Sequence, residues 1–209
     1  MKIAVVGLGY VGLANAVLLA QQCEVVGIDI CNKKVGMVNS RMSPIEDEII
    51  SDYLLNKNLN LNSTVDLKSG VKNADFTILA LPTDYDEDTN YFDTTALDRT
   101  IELVNELAPN TSIVIKSTVP IGYTKNIKIR FSQLDVAYSP EFLREGQALH
   151  DSLHPSRIIV GGSSKKSRDF AKLLDSAART KNSEIILTNS CEAEAIKLFS
   201  NTYLAMRVA

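Results

Sequence analysis

Three glycines near the start of the chain have the spacing of a phosphate-binding loop. Gly7, Gly9 and Gly12 follow a short apolar run and open a stretch with helical spacing. In such a unit the first glycine permits a tight turn, the second lets a pyrophosphate approach the backbone, and the third lets helix and strand pack closely. The first helical residues, Tyr10 and Val11, would then present free N–H groups to phosphate oxygens.

An acidic residue follows at the distance that a nucleotide ribose requires. Asp29 ends the second apolar run, about 20 residues after the glycines. Because its carboxylate would accept from a ribose 2′-OH and repel a 2′-phosphate, the pattern predicts NAD rather than NADP. The alternative is an Asp29 that only caps a helix in a domain without a nucleotide. Lys34 is expected to reach the adenosine ribose or phosphate, although, like Lys33, it can instead be a solvated helix-face lysine.

Polar residues follow three other apolar runs. Thr83 comes after the first of these runs, Thr118 after the second, and Glu141 and Glu145 after the third. Ligands of open α/β sheets lie beyond the carboxyl ends of the strands. The two threonines are therefore candidates to contact the cofactor or hold a water, with helix capping as the alternative. The two carboxylates are candidates for acid–base work, with a solvated loop as the alternative.

The elements that would position these residues alternate along the chain. Strands are predicted at residues 3–6, 25–28, 76–81, 113–115, 136–138, 158–160 and 185–187. Helices are predicted at residues 11–21, 32–40, 45–56, 94–107, 122–132, 164–178 and 190–209. Because most of the apolar runs are continuous, they are typical of parallel strands that are buried on both faces. The pattern predicts an α/β fold, a Rossmann-like, doubly wound, mainly parallel sheet with helices on both faces.

Composition excludes several classes of function. The chain has 209 residues, 45% of them hydrophobic, and a formal net charge of −3. A net negative charge does not favour binding to nucleic acid. No apolar run is long enough to span a membrane. Cys23, Cys31 and Cys191 lack metal-ligand spacing. Free thiols without a signal peptide predict a cytoplasmic location.

The acidic stretch at residues 82–93 resembles the start of a calcium loop only superficially. It contains Asp84, Asp86 and Asp88 at alternate positions. Thr89 stands where the loop needs glycine, and Thr95 where it needs a bidentate glutamate. We therefore expect no metal site there.

Four short motifs, in order along the chain, together resemble the NAD-binding part of the UDP-glucose/GDP-mannose dehydrogenase family. They are Gly-Leu-Gly-Tyr-Val-Gly at 7–12, Lys-Ser-Thr-Val-Pro at 116–120, Ser-Pro-Glu-Phe-Leu-Arg-Glu-Gly at 139–146, and Glu-Ala-Ile-Lys-Leu-Phe-Ser-Asn-Thr-Tyr at 194–203. The resemblance covers nearly the whole chain.

The resemblance implies roles for residues that match the family's motifs. Thr118 would hold a catalytic water, and Glu141 would be the general base for thioester hydrolysis. Glu145 would lie near the cofactor. Lys197 would stabilise the oxyanion at C6 of the sugar, and Asn201, four residues later, would project from the same helix face. The segment from Glu141 to Glu145, including Phe142, Leu143 and Arg144, would also bind the sugar.

The resemblance further implies a reaction and a division of the protein. The family oxidises the C6 alcohol of a nucleotide sugar with two NAD, and a cysteine captures the aldehyde as a thiohemiacetal. UDP-glucose is the expected substrate, with UDP-N-acetylmannosamine or GDP-mannose as alternatives. The family's cysteine belongs to a second, sugar-binding domain and matches none of the three cysteines here.

The same resemblance predicts the organisation of this chain. We expect an NAD-binding domain at residues 1–189 and, at 190–209, the start of a connecting helix that ends without a cap. The chain alone would bind NAD without turnover, and the longer protein would be a homodimer. A non-catalytic, NAD-sensing Rossmann module remains the alternative from another functional class.

Overall fold

The computed structural model describes residues 1–86, 88, 91–180 and 183–208. The strands in these ranges are β1 Lys2–Val6, β2 Glu24–Ile28, β3 Leu61–Thr64, β4 Phe76–Leu79, β5 Tyr85–Asp86, β6 Tyr91–Phe92, β7 Ser112–Ile115, β8 Asp135–Tyr138, β9 Arg157–Gly161 and β10 Glu184–Thr188. The helices are α1 Tyr10–Leu19, α2 Asn32–Asn39, α3 Glu48–Asn56, α4 Leu67–Val71, α5 Thr95–Leu107, α6 Tyr123–Arg130, α7 Ala148–Leu153, α8 Lys165–Ala177 and α9 Ser190–Val208.

Eight of the described strands form one sheet, in the order β10-β9-β8-β7-β4-β1-β2-β3. Neighbouring strands pair in parallel, except that β8 meets β9 antiparallel at Tyr138 and Gly161. The predicted mainly parallel α/β fold is confirmed, but β9 and β10 run opposite to the other six strands. Those six strands all end at one edge of the sheet, so the loops that follow them lie along that edge.

Helices cover both faces of the sheet and enclose two apolar cores. One core contains residues of α1, α3, α7 and α8, and the other contains residues of α4, α5, α6 and α9. Val5 and Ile78 belong to the first core, whereas their neighbours Ala4 and Leu79 belong to the second. Successive strand residues point to opposite faces, so both must be apolar when both faces are covered. Each fully buried Val, Ile or Leu side chain contributes about 1.5–3 kcal/mol.

Several boundaries differ from the predicted ones for identifiable reasons. The strand predicted at residues 76–81 ends at Leu79. The helix predicted at residues 45–56 begins at Glu48, because the Asp47 carboxylate caps it by accepting from the Ile50 amide at 3.0 Å. The sequence pattern predicts none of β3, α4 and α7. β3 is a short edge strand with an exposed Asn62 in its middle, and the two helices are too short to show a helical period.

Candidate functional site

The glycine loop between β1 and α1 is shaped by contacts that only glycine permits. Gly7 has a φ of +94°, and a Cβ there would lie 2.3 Å from the Ala80 carbonyl oxygen. A Cβ on Gly12 would lie 1.7 Å from the Gly7 carbonyl oxygen. A Cβ on Gly9, in contrast, would meet no described atom within 4 Å. The first and third glycines are therefore needed for packing, and the second leaves its backbone open to an approaching group.

The N-terminus of α1 follows this open backbone. Gly9 is the N-cap, and within the described part of the chain no side chain caps the helix or places an acid in its first turn. The amides of the first helical residues, Tyr10 and Val11, thus have the free, positively polarised arrangement that binds phosphate. The geometry fits the pyrophosphate of a dinucleotide.

Asp29 lies beside the glycine loop and also holds it in place. Its Oδ2 accepts from the Leu8 amide at 2.8 Å, and its Oδ1 accepts from the Cys31 amide at 2.9 Å. Lys34 Nζ lies 3.7 Å from Asp29 Oδ2, with about a third of the Lys34 side chain exposed. Ionised carboxylate oxygens each have a second lone pair, so the carboxylate can still accept from a ribose hydroxyl. The predicted neighbours Asp29 and Lys34 are brought together.

Thr83 and Thr118 are also brought together. The Thr83 hydroxyl donates to the Thr118 carbonyl oxygen at 2.6 Å. This bond joins the loop after β4 to the loop after β7, two neighbouring strands of the sheet. Because the hydroxyl proton of Thr83 is used in this bond, its oxygen can only accept a hydrogen bond from a ligand. Both threonine side chains are half-buried at the edge of the sheet.

The loop after β8 carries Glu141, which forms an ion pair with α9. Lys197 Nζ lies 2.7 Å from Glu141 Oε1 and donates to the Glu141 carbonyl oxygen, also at 2.7 Å. The side chains are only 8% and 15% exposed, so the pair is largely withdrawn from solvent. Glu141 Oε2 accepts from the Leu143 amide at 2.8 Å. Lys197 Nζ also lies 5.6 Å from the centre of the Phe142 ring.

Other predicted residues of this region lie apart from the pair. Arg144 is exposed and bonds Asp151, with 2.6 Å between Nη2 and Oδ1. Glu145 and Asn201 are exposed, and within the described residues no hydrogen bond joins either of them to Glu141 or Lys197. Their roles towards cofactor and sugar therefore stay predictions.

Lys116 is a charged residue of this site to which sequence reasoning gives no role. It follows β7 directly and is buried, with only 6% of the residue exposed. Its Nζ donates to Ser139 Oγ at 3.1 Å. Burial lowers the pKa of Lys116 to about 8, although the nearby Glu141 carboxylate opposes the shift. A lysine directly after a continuous apolar strand is the sequence signal that points to it.

A cavity of about 290 Å³ lies beside the Lys116 ammonium. Its lining includes Ser139 and Leu143 of the loop after β8 and Leu18 of α1. Glu141 and Asp151 also line the cavity, whereas the hydrogen bond that the structure gives the Lys116 ammonium goes to Ser139 Oγ.

Glu194 is a second residue that sequence reasoning leaves without a role. It lies on α9, is fully buried, and accepts from the Gly122 amide at 2.6 Å and the Thr124 amide at 2.8 Å. Its carboxylate thus caps the N-terminus of α6, where negative charge is favourable. Ser190, Ala193, Glu194 and Lys197 form the buried face of α9, so the cap and the ion pair are set by one helix orientation.

The described residues hold no group of three or more His, Cys, Asp or Glu side chains that can bind a metal. Thr89, which bears on the calcium-loop comparison, lies outside those residues. Cys23 is buried, and burial raises its thiol pKa, whereas Cys31 and Cys191 are half-buried. Across the same part of the chain, every helix falls short of the length and apolarity that crossing a bilayer demands.

Comparison with protein families gives one match over most of the chain. The sequence model described as UDP-glucose/GDP-mannose dehydrogenase family, NAD binding domain, matches residues 1–177. These residues include the glycine loop, Asp29, the two threonines and the loop with Glu141.

Individual relatives agree with this match. UDP-glucose 6-dehydrogenase of Campylobacter jejuni is 47% identical over 210 residues, which cover 100% of this chain and 53% of the relative. The Streptococcus pneumoniae UDP-glucose 6-dehydrogenase is 47% identical over 214 residues, covering 100% and 54%. A solved ternary complex of GDP-mannose dehydrogenase from Pseudomonas aeruginosa has a TM-score of 0.87 and 27% identity, covering 100% of this chain and 51% of that one. The chain spans about half the length of the curated relatives it matches.

Proposed function

The chain belongs to the UDP-glucose/GDP-mannose dehydrogenase family, and we propose that it is the NAD-binding half of a UDP-glucose 6-dehydrogenase. It carries the family's NAD-binding domain, so the predicted cofactor is confirmed. UDP-glucose is favoured over GDP-mannose and UDP-N-acetylmannosamine because the relatives at 47% identity are UDP-glucose 6-dehydrogenases. The GDP-mannose dehydrogenase is similar at only 27% identity.

The ion pair between Lys197 and Glu141 is the observation that carries the proposal. It joins α9 to the loop after β8, at the sheet edge where the glycine loop and Thr118 also lie. A domain that only binds a nucleotide for regulation has no need of a largely buried ion pair between a lysine and a glutamate at that edge. The proposed reaction needs a cation for developing oxyanion charge at C6 and, in the hydrolysis of the thioester, a group that takes a proton from water.

The residues of the pair have separate tasks in the proposed reaction. NAD supplies the acceptor for the hydride that leaves the sugar C6. An ammonium has three donors, and Lys197 uses two on Glu141. Its third N–H would stabilise the C6 oxyanion. Glu141 would be the base for thioester hydrolysis, acting on a water held by Thr118, which the Thr83 bond keeps in place.

The remaining substrate contacts are proposed from the family pattern. Residues 141–145 would form a wall shared by sugar and nicotinamide, with Glu145 towards the cofactor and Asn201 towards the sugar. The cysteine nucleophile would be supplied outside this chain, because none of Cys23, Cys31 and Cys191 matches the family's position. The chain alone would then bind NAD without oxidising UDP-glucose.

The organisation of the longer protein is also part of the proposal. Residues 1–189 would be the cofactor domain, and α9 would begin the connection to a UDP-sugar-binding domain. Phe199, Leu204, Met206 and Val208 on α9 are all at least 60% exposed. Apolar side chains left open in this way support a helix that packs against a further domain or a second subunit. We place the full protein in the cytoplasm as a homodimer, and its free cysteines fit a reducing compartment.

Titration of the chain with NAD and NADP tests the cofactor assignment. Asp29→Asn removes the negative charge while keeping one acceptor oxygen for the glycine loop. We expect NAD to bind the unsubstituted chain more tightly than NADP, and the variant to bind NAD about tenfold more weakly with a reduced preference. Asp66→Asn is the matched control, because Asp66 follows the neighbouring strand β3 and, like Asp29, accepts from two backbone amides. An unchanged preference in Asp29→Asn would remove Asp29 from its role.

A further inference from the structure

Ser117 makes two hydrogen bonds to a single residue of the neighbouring strand-end loop. Its Oγ accepts from the Leu81 amide at 2.9 Å and donates to the Leu81 carbonyl oxygen at 2.7 Å. Leu81 lies beyond the end of β4, where the strand ladder no longer supplies partners. The Ser117 hydroxyl therefore takes the place of a ladder partner and satisfies both backbone groups of Leu81.

A third hydrogen bond joins the same two loops. The hydroxyl of Thr83, two residues after Leu81, donates to the carbonyl oxygen of Thr118, which follows Ser117. We call these three hydrogen bonds the strand-end brace. The brace fixes Thr83 and Thr118 relative to each other by tying segment 81–83 to segment 117–118.

The braced segment also forms the wall of the glycine loop. Ala80, which precedes Leu81, has its carbonyl oxygen 2.3 Å from the position of a Cβ on Gly7 and its own Cβ 3.3 Å from one on Gly12. Leu81 Cδ2 lies 3.5 Å from the same Cβ position on Gly7, so a shift of Leu81 would disturb the surface against which the phosphate-binding turn packs. The brace thus couples the pyrophosphate end of the site to the threonines at the strand ends.

We propose that Ser117 is a positioning residue for the bound dinucleotide, acting through Leu81 and Thr83. The hydroxyl donor of Ser117 is taken by Leu81, and only 6% of the residue is exposed, so its effect comes from placing other groups. This inference rests on the proposed dinucleotide site.

Ser117→Ala removes two of the three bonds and leaves the Leu81 amide without its acceptor. We expect the variant to bind NAD about fivefold to tenfold more weakly than the unsubstituted chain, measured by calorimetry at a temperature where both are folded. Ser117→Thr keeps the hydroxyl and is expected to stay within about threefold of the unsubstituted affinity.

Ser112→Ala is the matched control for a lost buried hydroxyl. Ser112 begins β7, the strand that precedes Ser117, and is 1% exposed. It donates to Asp135 Oδ2 at 2.7 Å, at the end of β7 away from the cofactor loops. We expect its loss to lower the thermal midpoint while leaving NAD affinity within about twofold. Equal weakening in Ser112→Ala and Ser117→Ala would overturn the proposal, as would unchanged affinity in Ser117→Ala.

Amide hydrogen exchange of the free chain separates this inference from the proposed function. Ser117→Ala should speed exchange at the Leu81 amide, which donates to Ser117 Oγ, and Ser112→Ala should not. Unchanged exchange at Leu81 would refute the brace whatever the cofactor does. If the unsubstituted chain fails to bind NAD, the proposed function and the role of Ser117 towards the cofactor both fail, while exchange still decides whether the brace exists.

Discussion

The ammonium of Lys116 lies beneath the loop that carries Glu141, with Ser139 Oγ as its hydrogen-bond partner. Burial disfavours the charged form, and Lys197 on the far side of Glu141 adds a like charge. Glu141 therefore lies near two lysines, of which only Lys197 contacts it directly. The charge on Lys116 therefore depends on the extent to which its amine is buried.

Lys116→Met is expected to change how stability depends on pH. The pKa of Lys116 is about 8 in the folded chain, against an ordinary value near 10.5 when unfolded. Between these values the unfolded chain holds a proton that the folded chain has released, so stability rises with pH across this window. Relative to the variant, the unsubstituted chain should gain up to about 3 kcal/mol between pH 8 and pH 10.5.

Urea denaturation of both chains at several pH values measures this gain. Lys125→Met, at an exposed position, is the control for removing a solvated lysine. Parallel pH profiles for Lys116→Met and the unsubstituted chain would show that the ammonium is not desolvated in the folded state.

Helix α9 organises the site through two contacts that lie one turn apart. Glu194 caps α6, and Lys197 bonds the loop after β8. A Cβ on Gly161 would lie 2.7 Å from Ala193 Cβ, so β9 and α9 pack closely at a position that only glycine permits. At the scale of elements, the capping carboxylate and the site lysine are positioned together.

Glu194→Gln should weaken the start of α6. The amide has one acceptor oxygen for two buried N–H donors and no charge to oppose the helix dipole, so we expect a loss of about 1–2 kcal/mol. Hydrogen exchange at residues 122–126 should accelerate, and thermal unfolding should shift downwards. Glu192→Gln, on the exposed side of the same helix, is the control. If the two variants exchange alike, the cap does not hold α6.

At the scale of the whole molecule, six strand ends gather residues from distant parts of the sequence at one edge of the sheet. The cofactor would therefore contact several elements at once, and its binding energy would be shared by the folded chain. Because NAD binds only this folded arrangement, cofactor binding and folding are linked.

Saturation with NAD should stabilise the chain. At 100 times its dissociation constant, NAD is expected to add about 2.7 kcal/mol, which raises the melting temperature of a chain of this size by about 5–10 °C. NADP at the same concentration should give a smaller shift.

Adding UDP-glucose to the NAD complex should produce no NADH, and turnover by the isolated chain would contradict the assignment of the nucleophile to another part of the protein.

Features that depend on local backbone geometry and on side-chain period could be predicted from the sequence. Glycine spacing, Asp29 at the end of β2 and continuous apolar runs predicted the phosphate loop, the NAD preference and the mainly parallel α/β fold. Each of these features depends on residues that are close in the sequence, because a turn with positive φ or a strand buried on both faces restricts which residue types can occupy it.

The reversed direction of β9 and β10 and the partners of the buried polar groups could be seen only in the folded chain. Hydrogen bonds join Ser117 to Leu81, Lys116 to Ser139 and Glu194 to Gly122, which lie 36, 23 and 72 residues apart in the sequence. A hydroxyl, an ammonium and a carboxylate each have many equivalent partners in the sequence. Only the folded arrangement selects one of them, because a buried polar group must bond to what lies within reach.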